Sequence, residues 1–187
     1  MLQEKPMLGS NAVRLRTPDR SDIPNFIKWF NDAEVTQFLA RTLPMSEVEE
    51  IEWVDNLHKR QQTDLMWCIE IQGDAPNTFT PIGTIGLHGI HARDRRATLG
   101  IAIGEKDQWG KSYGRRAIDL LLLYAFHSLN LRKVELCVLA NNPRGMRCYR
   151  ACGFTEVGKQ REQVFKNGVY HDEITMEVFR SDWIERP

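Results

Sequence analysis

The sequence predicts a single α+β domain over residues 1–187, built on a mixed sheet. Segments that alternate like strands come in blocks, with helical patterns between only some of them. That arrangement is typical of α+β folds and not of doubly wound parallel sheets. The length of 187 residues and the apolar content of 42% are sufficient for one sizeable hydrophobic core.

The N-terminal part is predicted to form a strand and two helices. Alternation over Val13–Arg16 indicates the strand. Asp22 precedes apolar residues at helical spacing and is placed to cap the first helix. Ser46 and Glu49 form a capping-box pattern that begins the second helix. We expect residues 1–10 to be partly disordered.

Three strands, a long helix, a strand, a short helix and two late strands are predicted to follow. Pro143 in the first turn and Gly153 just past the end bound the short helix. The short segment 73–78 is rich in turn residues and is expected to be a hairpin loop. The three strands are predicted over 65–71, 82–90 and 97–103, and the long helix over 112–129. The next strand is predicted over 134–139, the short helix over 143–152, and the two late strands over 157–165 and 174–179.

Charge and composition exclude several classes of protein. The 25 Lys and Arg residues balance the 25 Asp and Glu residues, which argues against a nucleic-acid binder. The longest apolar run, residues 120–126, is far shorter than the roughly 20 residues that span a bilayer. The four cysteines have neither zinc-site nor disulfide-scaffold spacing, so we expect no metal site and free thiols in a cytoplasmic protein.

A phosphate site is predicted where the strand over 97–103 is followed by a glycine-punctuated turn and the long helix. Free backbone N–H groups and the positive end of the helix macrodipole both favour an anion there. Gly110 and Gly114 allow a ligand to approach the backbone closely. Lys111 and Arg115 add positive charge.

Two interpretations of this phosphate site compete. Gly110, Lys111 and Ser112 match the end of a Walker A loop, but that loop needs a glycine where Glu105 stands. A carboxylate at that position would face the phosphates, and the order of elements does not suit a nucleotide triphosphatase. The other interpretation is a pyrophosphate loop for coenzyme A.

The segment from Trp109 to Gly114 resembles the coenzyme A loop of the GNAT superfamily, [RQ]-x-x-G-x-[GA], with two departures. Trp109 replaces Arg or Gln, as in the ribosomal-protein N-acetyltransferase (Rim) branch, and Ser112 replaces the middle glycine. A second segment, from Asn142 to Phe154, resembles the family pattern N-x-x-[SA]-x-x-x-Y-x-x-x-G-F.

The resemblance covers almost the whole chain and implies a mostly antiparallel sheet whose fourth and fifth strands splay apart to admit the pantetheine arm. It also implies acetyl transfer from acetyl-CoA to a primary amine. Tyr149 is the implied acid for the leaving thiolate, although a half-buried helix tyrosine is the simpler alternative. The implied cofactor-binding residues are Ile101, Ala102, Ile103, Trp109, Gly110, Lys111, Ser112, Tyr113, Gly114, Arg115, Asn142 and Arg144.

The sequence does not determine which group would deprotonate the amine. Some relatives use a carboxylate where this chain has Cys137, and Glu135 lies two residues earlier on the same strand face. Glu135 is therefore our leading candidate. The other candidates are Glu70, His88, Glu105 and a chain of water molecules.

The acceptor and the assembly remain open at this stage. A protein N-terminus is the leading acceptor by analogy with the Rim branch. A small amine (polyamine, aminoglycoside or amino sugar) is the alternative, and a non-catalytic acyl-CoA-binding module is a third possibility. We expect a monomer or homodimer that binds neither nucleic acid nor membrane.

Overall fold

In the computed structural model, the described residues are 8–9, 12–39, 44–73, 75 and 77–184. The helices are α1 (Ile23–Phe30), α2 (Ala33–Thr36), α3 (Glu47–Asp55), α4 (Tyr113–His127) and α5 (Pro143–Ala151). The strands are β1 (Leu8–Gly9), β2 (Val13–Arg16), β3 (Leu65–Gln72), β4 (Phe79–His91), β5 (Arg96–Ile103), β6 (Lys133–Leu139), β7 (Thr155–Lys166) and β8 (Val169–Phe179).

The described strands form one sheet in the order β1-β2-β3-β4-β5-β6-β8-β7. Each neighbouring pair is antiparallel except β5 and β6, which are parallel and are connected through α4. The predicted α+β fold with a mixed, mostly antiparallel sheet is therefore confirmed.

The two parallel strands separate along their length. Their pairing joins residues 96–98 of β5 to residues 133–135 of β6 and ends at the pair Thr98–Glu135. Beyond Thr98, β5 continues to Ile103 while paired only with β4. These are the fourth and fifth predicted strands, and their predicted splay is confirmed. The alternate backbone N–H and C=O groups of β5 that face the gap have no strand beside them, so they can form hydrogen bonds to a ligand.

Helices cover both faces of the sheet. On one face the apolar stripe of α4, including Ile118, Leu121 and Leu122, is fully buried against the central strands. On the other face α1 and α3 bury Phe26 and Trp29 in a second, smaller cluster. The two clusters hold the central strands rigidly on both sides.

Trp29 also fixes the end of β5, where the gap opens. A Cβ added at Gly104 would lie only 2.1 Å from Cγ of the Trp29 ring, so the ring packs directly on that backbone. The Trp29 indole donates a hydrogen bond of 2.8 Å to Glu105. A side chain at residue 104 would therefore force the Trp29 ring to move.

The structure differs from the prediction in a few elements. Strand β1 and helix α2 were not predicted, and α4 ends at His127 instead of residue 129. Of residues 1–10, only Leu8–Gly9 are described, and they pair with β2; the rest of that prediction lies outside the described residues. Parts of the predicted hairpin loop, Asp74 and Pro76, also lie outside them. No helix within the described ranges is long and apolar enough to cross a membrane.

Candidate active site

A cavity of about 420 Å³ lies where β5 and β6 separate. Its walls come from the end of β5, the loop that leads into α4, and the exposed side of α5. The predicted cofactor-binding residues line this cavity, with the exception of Lys111. Tyr149 lines it too, so the two sequence motifs face one space. A further wall comes from Val35, Phe38 and Leu39.

The loop before α4 leaves its amides open to the cavity. Gly110 has φ +77°, a conformation that suits glycine. Ser112 is the N-cap of α4 and has φ +64°, but its side chain makes no capping hydrogen bond. The amides of residues 113–115 accordingly form no hydrogen bond to another described group. Together with the positive end of α4, they form a site for an anion.

Trp109 connects the loop to the end of β5. Its indole nitrogen donates a hydrogen bond of 2.8 Å to the carbonyl of Ile103. The guanidinium of Arg144, from the first turn of α5, lies over the ring at 4.1 Å from its centre. Trp109 therefore has a structural role at the position where the resembled family pattern has Arg or Gln.

Asn142 caps the helix that carries Tyr149. Its side-chain oxygen accepts a hydrogen bond of 2.9 Å from the amide of Gly145. A Cβ at Gly145 would lie 2.7 Å from the Asn142 side-chain nitrogen. Glycine in place of the usual Ser or Ala thus makes room for the Asn142 side chain, which holds the start of α5 at the cavity.

Tyr149 is half-buried in the cavity wall and packs edge-on against Phe154, with 6.1 Å between ring centres. Burial raises the pKa of its hydroxyl, and the thiols of Cys148 and Cys152 raise it further. The phenol is therefore protonated at any physiological pH. The structure records no hydrogen bond from this hydroxyl to another described residue, so it is available to a ligand.

The predicted base candidates are engaged elsewhere. Glu135 pairs with Lys133 and lies 3.8 Å from Arg96. Glu70 pairs with Arg14 and Arg16. None of Glu70, His88, Glu105 and Glu135 lines the cavity. The catalytic role of Glu135 stays a prediction, and its ion pairs weaken the case for it.

Glu105 and His88 also have structural partners. Partial burial raises the pKa of Glu105, but hydrogen bonds from Lys28 and Trp29 outweigh it and leave the pKa below the ordinary value. His88 lies 3.3 Å from Asp64. A carboxylate that is already stabilised as an anion is a weak proton acceptor.

The sequence reasoning missed one wall of the cavity, at Val35, and a carboxylate beside the gap, Glu173, which does not itself line the cavity. Glu173 on β8 lies opposite Leu139, at the end of β6 where the gap is wide, and forms no ion pair within the described ranges. It is close enough to Cys137 to help burial raise the pKa of that thiol. Its place depends on the register of β8, which the sequence does not reveal. The wall at Val35 was missed because α2 was not predicted.

A cleft between parting parallel strands, with free amides at a helix start and a tyrosine on the facing helix, defines an acyltransferase that uses a phosphate-bearing thioester. Residues 12–155 match the family model described as the acetyltransferase (GNAT) domain. The chain belongs to this family and is an acetyl-CoA-dependent N-acetyltransferase. The family resemblance predicted from the two motifs is confirmed.

Two relatives and one solved structure indicate which acetyltransferases this chain is similar to. Spermidine N(1)-acetyltransferase of Vibrio cholerae serotype O1 is 29% identical over 95% of this chain and 98% of its own. A crystal structure of the Vibrio cholerae spermidine N-acetyltransferase with CoA and spermine has a TM-score of 0.82 at 28% identity, covering 92% of this chain and 98% of that one. YdaF of Bacillus subtilis, provisionally named as a ribosomal N-acetyltransferase, is 31% identical over 54% of this chain and 55% of its own.

Proposed function

We propose that this enzyme transfers the acetyl group of acetyl-CoA to a primary amine of a small polyamine. The Vibrio cholerae relative and the Vibrio cholerae solved structure described above match this chain over nearly its full length, and both are named as spermidine acetyltransferases. YdaF, by contrast, matches over about half of the chain. These comparisons favour the small-amine alternative over a protein N-terminus.

The observation that carries the proposal is the charge of the sheet face beside the gap. Glu135 on β6 lies opposite Glu177 on β8, and Leu139 lies opposite Glu173, so three carboxylates share one face. Lys133 forms ion pairs with Glu135 and Glu177 and so offsets part of their negative charge. Glu173, the carboxylate nearest the open end, forms no ion pair with another residue that the structure describes and suits the ammonium of a polycation.

The chain's own groups supply each part of the transfer. The amides at the start of α4 hold the pyrophosphate, and the unpaired edge of β5 lies along the thioester arm. The amine nitrogen attacks the thioester carbonyl carbon, and a backbone N–H of residues 101–103 stabilises the oxyanion. The carbon–sulfur bond then breaks, and the sulfur receives a proton from Tyr149. The nitrogen, positively charged after the attack, releases one proton, and water carries it back to the Tyr149 phenolate.

The proton transfer from Tyr149 needs direct contact. An ordinary phenol and thiol differ by about 1.5 pKa units, or ~2 kcal/mol, and the raised pKa of Tyr149 increases this difference. Tyr149 can therefore act as the acid only in direct contact with the leaving sulfur.

The amine must lose a proton before it attacks, because a primary ammonium has a pKa of about 10.4. We propose that Glu173 accepts it through water, since this carboxylate lies towards the open end of the gap but does not itself line the cavity. Glu135 is the alternative base, and it lies where β5 and β6 are still paired. Single Gln variants of the two residues would separate these roles.

A screen of acceptors tests the proposal. Thiol release from acetyl-CoA is measured with spermidine, an aminoglycoside, an amino sugar and a peptide with a free N-terminus. We expect spermidine to give the highest kcat/KM. A protein that binds acetyl-CoA but releases no thiol with any amine would be a non-catalytic module, and the proposal would be wrong.

A further inference from the structure

The hairpin of β7 and β8 places one lysine, Lys166, at its tip, on the edge strand of the sheet. Asn167 (φ +53°) and Gly168 (φ +80°) form its two-residue turn, and both adopt the left-handed conformation such turns require. Lys166 and Val169 are the last pair of the ladder. Because the turn is tight, the position of Lys166 is fixed by the sheet.

Lys166 reaches across to a distant segment of the chain. Its ammonium donates hydrogen bonds to the backbone carbonyls of Thr36 and Leu39, which are 130 and 127 residues away in sequence. Partial burial lowers the pKa of Lys166, as expected when carbonyl groups replace much of the water around an ammonium. The hairpin and this segment are therefore joined by charge-assisted hydrogen bonds.

The segment that Lys166 holds, residues 32–39, is here called the strap. Its residues Val35, Phe38 and Leu39 line the cavity, on the wall that neither cofactor motif supplies. The strap therefore contacts the cavity through these three residues and the hairpin through Lys166.

The other end of the strap is held by a second lysine. Lys106, just before the cofactor loop, pairs with Asp32 at 2.8 Å and with Glu34 at 2.9 Å. These pairs are solvent-exposed, and exposed pairs contribute little to stability. The contact with Lys166 is the better shielded of the two attachments.

We propose that Lys166 is a positioning residue that holds the strap as the acceptor-side wall of the cavity and thereby sets the affinity for the amine. This inference rests on the proposed transfer to a small amine. The wall contributes apolar contacts and excludes water only while the strap stays in place. Loss of the Lys166 hydrogen bonds to the strap, here called the tether, should therefore weaken binding of the amine more than binding of acetyl-CoA. The predicted contacts of acetyl-CoA are on the other walls.

The test compares three variants in the full chain. Lys166→Met keeps the apolar stem and removes the donor, Lys166→Arg restores a donor, and Lys159→Met is the matched control. Lys159 is in the same hairpin and pairs with Asp172 at 2.5 Å, and no hydrogen bond or ion pair joins it to the strap among the residues that the structure describes. We expect Lys166→Met to raise KM for spermidine by at least about fivefold, with the acetyl-CoA Kd changed less than about twofold.

Lys166→Arg should recover most of this loss, and Lys159→Met should behave as the unaltered protein. An unchanged KM in Lys166→Met would overturn the inference. So would an equal loss of acetyl-CoA affinity, because the strap would then belong to the cofactor side.

Hydrogen–deuterium exchange separates this inference from the function it rests on. If the unaltered protein acetylated no amine, the proposed function would fail. The tether would still be supported if amides of residues 32–39 exchanged faster in Lys166→Met than in Lys159→Met. Equal exchange in the two variants would refute it.

Discussion

The guanidinium of Arg144 lies over the ring of Trp109, with 4.1 Å from its central carbon to the ring centre. Trp109 belongs to the loop before α4, and Arg144 belongs to the first turn of α5. This contact brings the two cofactor motifs together across the cavity. Since Trp109 is also bonded to the end of β5, the contact joins three walls of the site.

Arg144→Met should weaken acetyl-CoA binding about five- to tenfold. A cation–π contact is worth about 0.5–1 kcal/mol at an exposed site, and a positive charge facing the phosphates is lost as well. Isothermal titration measures the change. Arg150→Met is the control, because Arg150 pairs with Glu156 and does not line the cavity. Equal effects in the two variants would contradict a specific role for Arg144.

Gly114→Val should fold normally and still lose acetyl-CoA affinity by at least tenfold, or about 1.4 kcal/mol. A Cβ at residue 114 would lie 3.7 Å from the nearest atom, on Ile103, so the free protein has room for it. The valine would instead occupy the space that a phosphate needs at the helix start. Gly158→Val is the control, at an open position outside the cavity. Unchanged affinity in a folded Gly114→Val protein would refute the phosphate site.

Ser112→Gly should raise the free energy of unfolding by about 0.5–1 kcal/mol. Ser112 has φ +64°, which costs an L-residue about 1–2 kcal/mol, and the greater freedom of unfolded glycine offsets part of the gain. Ser46→Gly should instead lower the free energy of unfolding, since Ser46 caps α3 in an extended conformation. Denaturant unfolding of both variants checks the signs. A less stable Ser112→Gly protein would show that the strain is absent.

The fold was largely predictable because its local signals agree. The alternation of β2, the capping box of Ser46 and the glycine after α5 each indicated the right element. Helix α2 escaped prediction because it spans only four residues, too few for a periodic pattern. Its start is signalled only by the capping residue Asp32.

The site was predictable where a motif is contiguous in sequence. The loop before α4 and the segment after Asn142 have fixed spacing, so their residues could be named. The environment of Glu135 depends on Lys133 beside it and Arg96 across the strand pair, and that of Glu173 on the register of β8. Apart from the Lys133–Glu135 pair within one strand, these contacts arise from pairing between distant strands, which one sequence does not determine.

Tyr149→Phe should lower kcat by roughly 10²-fold, the range for loss of a general acid, with acetyl-CoA affinity kept within a few-fold. The ring contact with Phe154 is preserved in this variant. Steady-state kinetics and titration together provide the test. Near-normal turnover would mean that the hydroxyl is not the acid, even in a working acetyltransferase.

The pH dependence should be the same with and without that hydroxyl. For both proteins, kcat/KM for the amine should rise from pH 6 towards 8, because the neutral fraction of an amine with pKa about 10.4 rises with pH. Burial raises the pKa of Tyr149, so its phenol stays protonated over this range and adds no step of its own. A rate that fell over this range in the unaltered protein alone would assign a titrating role to Tyr149.

Direct competition between acceptors tests the central claim. Spermidine and a peptide with a free N-terminus are mixed at equal concentration with limiting acetyl-CoA, and mass spectrometry counts each acetylated product. Discrimination by charged contacts in the site should favour acetylspermidine by about 10²-fold or more. An excess of acetylated peptide, or equal amounts of the two products, would contradict a polyamine acceptor.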